Sequence, residues 1–202
     1  MTTSRLFAGS VCAVAFTAAA FAQRGAPAAP DAEAGPRFRY MGPESSGRIA
    51  AVVGIPGDTM TYYAGAASGG VWKTTDGAKT FEPVFDAQPV QAIGALALAV
   101  SDPKIVWAGT GEAWTIRDSD VTGDGVYKST DAGATWTNMG LGETGRIGKI
   151  LVHPANPDVV YVCALGRATG PQPERGVFKT TDGGRTWQRS LFADENTGCS
   201  GL

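Results

Sequence analysis

Histidine is almost absent from this 202-residue chain: His153 stands alone, in the turn-like stretch "HPANPD". A zinc centre built from histidine and cysteine, a Ser-His-Asp triad and a Cys-His dyad are excluded on the supply of side chains. His153 itself reads as a turn residue rather than a base. Blocks of like charge are missing too, and the formal net charge is −2. Nucleic acid needs a basic stripe to hold it, so that class of partner is not expected. Beyond the N-terminal apolar run, no segment keeps the i, i+3, i+4, i+7 spacing of a helix, and 28 glycines interrupt any attempt at one. The reading is of an all-β chain with no cofactor and no metal.

One long apolar run does occur, from Leu6 to Ala22 behind Arg5, with small residues at Ala20 and Ala22. This is the pattern of a secretory signal, residues 1–22, cut after Ala22. Ser10 and Thr17 interrupt the run and no stop-transfer segment follows it. No membrane association is therefore expected after cleavage, and the protein is read as secreted or periplasmic. Residues 23–36, rich in Ala, Pro and Gly, read as a flexible leader. Once the signal is gone, Cys163 and Cys199 are the cysteines left, and an oxidising compartment allows them to bond if the fold brings them together. Their settings point instead to two separate thiols. Cys163 in "VVYVCAL" reads as a small buried strand residue, and Cys199 lies in an irregular stretch near the end of the chain.

What fills residues 37–202 is repetition. Three units, at about 47–86, 93–140 and 145–192, align on Asp76, Asp131 and Asp182, a period of about fifty residues. Each unit reads as four short strands. "RIAAVVGI", "ALALAV" and "KILVH" come first, "TYYAGA", "IVWAGT" and "VVYVCAL" second, and "GVWKTT", "GVYKST" and "GVFKTT" third. A short last strand carries Phe81, Trp136 or Trp187. Four-stranded units of this length are the blades of a β-propeller, so the fold expected is an incomplete propeller, with "ENTGCSGL" opening a truncated fourth blade from about residue 197. Closed propellers generally need at least four blades, so free blade edges open to self-association are expected.

An octapeptide joins the third and fourth strands of every unit: "TTDGAKTF" (74–81), "STDAGATW" (129–136) and "TTDGGRTW" (180–187). The aspartates at 76, 131 and 182 suit backbone N–H groups across a turn. Gly133 and Gly184 suit a positive φ, and the Ser and Thr hydroxyls close the other side. The aromatic then folds beneath the turn, where burying an indole is worth ~2–3 kcal/mol, enough to hold an outer strand. Catalytic groups are set once around a substrate, whereas a group present in every unit serves the unit, so the octapeptide reads as a staple.

The pattern S/T-x-D-x-G-x-T-W resembles the Asp-box, or bacterial neuraminidase repeat, of sialidases, oligoxyloglucan-type glycosidases and sortilin (VPS10) propellers. Ser129, Asp131, Gly133, Thr135 and Trp136 fit it, as do Thr180, Asp182, Gly184, Thr186 and Trp187; the first copy departs at Ala78 and Phe81. With "GGVWKTTDG" and "HPANPDVVYV", the unit is most similar to the sortilin-type propellers of exported bacterial proteins. The resemblance implies octapeptides on the blade periphery, away from the ligand face. It also implies an exported module binding a peptide or a glycan. Alternatives are a glycoside hydrolase whose acids lie partly beyond this chain, or a piece without activity of its own. "RFRYMGP" lacks the R-I-P-like start of sialidases, and Ala67 stands about where the glycosidases carry an aspartate. Both departures speak against catalysis by these residues.

Function is then sought where the units differ, in the insertions 111–125 and 166–176 between second and third strands. The first holds Glu112, Trp114, Arg117, Asp118, Asp120 and Asp124, a set suited to a sugar or a peptide. Asp118, Asp120 and Asp124 alternate as calcium ligands would, although the EF-hand spacing fails and a solvated loop is the plainer reading. Glu112 and Asp124 would serve as a glycosidase pair if ~5–9 Å apart. Arg48 and Arg146 open equivalent first strands and suit a carboxylate or phosphate, or else cap a neighbouring carbonyl. Trp72, Tyr127 and Phe178 occupy matching places and read as blade core.

Overall fold

The computed structural model describes residues 42–43, 48–113 and 121–202. Trp114, Arg117, Asp118 and Asp120 lie outside the described residues, as do the signal-like and leader segments. The described chain is all-β: three four-stranded antiparallel sheets, each with its strands in sequence order. Sheet 1 contains β1 (Ile49–Gly54), β2 (Tyr62–Ala66), β3 (Gly70–Thr74) and β4 (Glu82–Pro83). Sheet 2 contains β5 (Ile93–Ala99), β6 (Asp102–Thr110), β7 (Val126–Ser129) and β8 (Thr137–Asn138). Sheet 3 contains β9 (Ile147–Val152), β10 (Val160–Ala164), β11 (Gly176–Thr180) and β12 (Gln188–Leu191), and a single 3-10 turn at Gly142–Thr144 precedes β9.

The second strands, flanked on both sides within their sheets, carry much of the core. Tyr63, Val106, Trp107 and Val162 are wholly enclosed. One apolar cluster joins Tyr63, Val71 and Phe85 of sheet 1 to Ile93, Leu96 and Tyr127 of sheet 2. A second joins Trp107 and Val126 of sheet 2 to Ile147, Ile150 and Val162 of sheet 3. Tyr127 is thus core, while Trp72 and Phe178 are half-buried.

The octapeptides open at the same rung of each sheet, where Thr74, Ser129 and Thr180 face Tyr62, Val106 and Val160. Asp131 accepts from Ser129 Oγ at 2.7 Å, Thr135 N at 2.8 Å and Thr135 Oγ1 at 2.6 Å. Asp182 repeats this with Thr180 and Thr186, and Asp76 with Thr74 and Thr80. The first turn keeps the same bonds although Ala78 stands in for glycine. Its φ of 65° takes the left-handed conformation that Gly133 and Gly184 adopt at 90° and 95°. The last strands begin just after the aromatic, at Glu82, Thr137 and Gln188.

The indoles reach further than a fold beneath their own turns. Trp136 Nε1 donates to Val84 O at 2.7 Å and Trp187 Nε1 to Met139 O at 2.7 Å, in both cases on the preceding sheet. Trp136 meets Phe85 edge-on at 5.2 Å, and Trp187 meets Trp107 edge-on at 6.1 Å. Lys73 and Tyr63 of sheet 1 both donate to Ala132 O, and Lys128 of sheet 2 donates to Gly183 O. Each octapeptide of sheets 2 and 3 therefore fastens its sheet to the one before. Phe81 of sheet 1 instead borders an open apolar hollow of about 400 Å³ with Ile49, Val52 and Tyr62, where Val52 is 63% exposed.

Cys163 and Cys199 are bonded, against the reading of separate thiols. Residues 198–200 run back along sheet 3, with Cys199 N donating to Ala164 O at 3.1 Å, and this sets the two sulfurs together. The bond joins β10 to a segment outside its sheet, so the pattern within one unit does not announce it.

The clasp makes acid sensitivity calculable in direction. Bonds from the Thr135 hydroxyl, the Thr135 N–H and the Ser129 hydroxyl pull Asp131 from 3.8 down to about 2. Asp76 is lowered chiefly by the Thr80 N–H and Asp182 chiefly by the Thr186 hydroxyl. A carboxyl with a lower pKa folded than unfolded stabilises above its unfolded value and loses that contribution as pH falls through its folded one. We expect the thermal midpoint to fall from about pH 4 towards pH 2, and to fall less steeply in Asp131→Asn. Calorimetry across that range checks it, and identical slopes for the two proteins would rule out the clasp as the titrating element.

Candidate functional site

Antiparallel pairing gives every sheet two ends. At one lie the octapeptides and the turns between first and second strands, including "HPANPD", where His153 Nδ1 accepts from the Ala155 and Asn156 N–H groups at 3.2 Å. At the other lie the starts of the first strands and the irregular connections between second and third strands. Ala67 N, Gly111 N and Leu165 N donate to Arg48 O, Ala92 O and Arg146 O, an equivalent closing bond in each sheet. Residues 111–113, 121–125 and 166–176 therefore share an end with Arg48 and Arg146, opposite to the octapeptides.

This end concentrates buried polarity: Thr110, Glu112, Thr144, Arg146, Gln172 and Arg175 are all enclosed there. Arg48 Nη2 donates to Glu112 Oε1, bridging sheet 1 to sheet 2. The Glu112 side chain is 6% exposed and that of Arg48 50%, so the carboxylate is desolvated while the guanidinium keeps one side in water. The carboxylate is thereby tied into the junction of sheets 1 and 2. Asp124 is engaged elsewhere: Tyr127 OH donates to its Oδ2 at 2.6 Å and Thr110 Oγ1 to its Oδ1 at 3.3 Å. Asp58 and Asp194, like the octapeptide aspartates, are also held below the ordinary range by hydrogen bonds. Asp124 has its calcium-set partners outside the described residues, and among the described residues no cluster of three metal-ligating side chains occurs.

A cleft of about 380 Å³ opens beside the second insertion, lined by Glu143, Arg167, Thr169, Gln172, Pro173 and Glu174. Its size suits a ligand of several heavy groups, and its walls are polar. Arg167 and Glu143 face each other at 3.7 Å across it, both largely exposed. Buried donors hold the backbone around it: Arg146 Nε donates to Gly166 O at 2.6 Å, and Gln172 Nε2 to Glu143 O at 2.7 Å. Arg175 reaches Arg167 O and Gly170 O at 3.0 Å, and Asn196 O at 3.1 Å. A guanidinium gripping three carbonyls turns a glycine- and proline-rich loop into a fixed wall. Glu143, Gln172 and Arg175 were not marked by sequence reasoning; the signal available was the length of "GRATGPQPERG" against the three-residue connection "ASG" of the first unit. Arg146 serves this loop, whereas Arg48 serves the sheet junction.

No family model matches the chain. Over 134 residues it is 29% identical to the "Probable oligoxyloglucan-reducing end-specific xyloglucanase" of Neosartorya fischeri, a match taking in 64% of this chain and 15% of the relative. Among solved structures it resembles an ancestral GH74 enzyme, with a TM-score of 0.56 and 21% identity over 73% of this chain and 19% of that one. The GH74 enzyme of Niastella koreensis gives 0.54 and 22%, over 73% and 23% of the two chains. YCF48 bound to D1 peptide gives 0.54 and 15%, over 79% and 47%. The chain thus spans less than a quarter of the length of the xyloglucanase and of these two GH74 enzymes. What these likenesses establish is the fold: an all-β, propeller-type arrangement in which the three sheets are successive blades.

Proposed function

We propose that this chain is an exported propeller segment that binds an extended glycan or peptide across the end bearing its irregular loops, as sortilin-type modules do. The observation that carries the reading is the cleft beside residues 166–176, a polar groove lined by Glu143, Arg167 and Gln172, whose loop is held by the buried Arg146 and Arg175. Recognition is favoured over catalysis because the carboxylates sequence reasoning had singled out, Glu112 and Asp124, are committed to Arg48 and to Tyr127. The disulfide supports an oxidising compartment. No helix among the described residues is long and apolar enough to cross a membrane.

A second reading, a glycoside hydrolase completed by residues outside this chain, is favoured by the match to a xyloglucanase. Calorimetric titration with xyloglucan oligosaccharides and with a peptide library separates the two when paired with a reducing-sugar assay. The binding reading expects saturable binding without sugar release, weakened by Arg167→Ala. Turnover that disappears in Glu112→Gln would replace it with the hydrolase, and absence of both binding and turnover would overturn both.

A further inference from the structure

Sheets 1 and 2 each leave a glycine at the same rung of the second strand, Gly65 and Gly109, opposite Val71 and Val126. A Cβ on Gly65 would lie 2.5 Å from Ile93 Cγ2, and one on Gly109 would meet Ile147 as closely. The glycines are therefore seats for the first isoleucine of the next sheet. At that rung sheet 3 carries Cys163, opposite Val177, and the group that comes to it is Cys199. A covalent bond stands where packing stands twice before. Backbone bonds repeat the correspondence. Gln172 N donates to Glu195 O as Gly70 N does to Gln91 O and Gly123 N to Gly145 O.

The segment so held is otherwise attached through backbone, Gly198 lying against Leu165 and residues 199–200 against Gly148. Residues 191–197 are exposed, and no apolar side chain between Ala193 and Ser200 is buried. Yet it supplies one of the three carbonyls that Arg175 grips, the other two belonging to the cleft loop. Arg175 is 9% exposed and lies between them. We infer that the Cys163–Cys199 disulfide is a redox latch. Oxidised, it seats residues 194–202 on sheet 3 and, through Arg175, holds the loop 166–176 that walls the cleft; reduced, it releases segment and loop while the three sheets stay assembled.

The chemistry is thiol–disulfide exchange with a dithiol reductant. Cys163 is wholly enclosed and Cys199 partly exposed, so the thiolate attacks Cys199 Sγ. The S–S bond breaks, Cys163 departs as thiolate and takes a proton, and a mixed disulfide forms at Cys199. The second thiol of the reductant displaces Cys199, closing the reductant's own disulfide. The protein gains two electrons and two protons, and the reductant is oxidised by the same count.

The latch is independent of what the cleft binds, and its test uses no ligand. Amide hydrogen exchange is followed in the full chain, oxidised, reduced with dithiothreitol, and as Cys199→Ser. The N–H groups of Arg167, Gln172 and Cys199, bonded to Gln172 Oε1, Glu195 O and Ala164 O, should exchange roughly tenfold faster or more on reduction. Those of Gly111 and Met139, bonded within and beside sheet 2, should not change. Arg175→Gln with the disulfide intact should free Arg167 and Gln172 and leave Cys199 protected. Equal exchange in both redox states overturns the latch, and loss of protection at Gly111 and Met139 makes the bond a support of the whole fold instead. Continued protection of Arg167 in Arg175→Gln refutes the coupling through the guanidinium.

Discussion

Truncating Trp136 to alanine is expected to lower stability by about 2–3 kcal/mol and the melting midpoint by roughly 5–10 °C, one of the largest effects of any single substitution in the chain. The indole is half-buried, so the area term is smaller than for an enclosed tryptophan. Three contributions add to it, all across the junction of sheets 1 and 2. The edge-on contact with Phe85 is worth ~0.5–1.5 kcal/mol beyond area. The bond to Val84 O adds about 1 kcal/mol. Apolar burial against the cluster around Phe85 and Tyr127 supplies the rest. Trp136→Phe keeps a ring and loses the N–H, so it should cost about 1 kcal/mol. Denaturant melts of the three proteins check the ordering. An alanine variant as stable as the parent would mean that the contact seen with sheet 1 carries no energy.

The second large effect is an overpacking one. Gly65→Ala should cost about 2–3 kcal/mol although it adds a single methyl group. That methyl would sit 2.5 Å from Ile93 Cγ2 and 3.2 Å from its Cβ, with Leu96 Cδ1 at 3.3 Å on the other side. Ile93 is wholly enclosed and has nowhere to retreat. Gly65 is not among the residues of positive φ, so the penalty is steric and belongs to the junction. It follows that Ile93→Ala, itself destabilising by ~2–4 kcal/mol, should be less so in the Gly65→Ala background. Additive costs would place the strain somewhere other than this seat.

Those two residues mark the boundary of what could be read in advance. The strands were legible because alternation, punctuation and a repeated octapeptide all act within a few residues of each other. The aspartate clasp was legible for the same reason: Asp131, Ser129 and Thr135 are neighbours in sequence, so their chemistry specifies their geometry. What a sheet does to the next one was not. Trp136 and Val84 are separated by 52 positions and the two cysteines by 36, and no local period records which surface an indole or a thiol will face. In hindsight the alternation Gly65, Gly109, Cys163 is a signal, since it sets a cysteine at a rung otherwise held by glycine.

The candidate site divides in the same way. Arg48 and Glu112 were marked as charged residues in suggestive places, and the structure brings them to each other, across 64 positions. Arg175 was passed over because a buried arginine that satisfies backbone carbonyls has no sequence signature at all. Residue type alone tells neither a ligand-facing guanidinium from one that holds a loop, nor an acid from an ion-paired carboxylate.

The octapeptides as joints between sheets, rather than staples of single hairpins or sites of chemistry, are tested most directly by a double-mutant cycle on Phe85 and Trp136, each replaced by leucine alone and together. These residues belong to different sheets and touch only through the junction. A coupling of about 0.5–1.5 kcal/mol is predicted from denaturant melts. Costs that add to within ~0.3 kcal/mol would show that the indole serves its own turn alone.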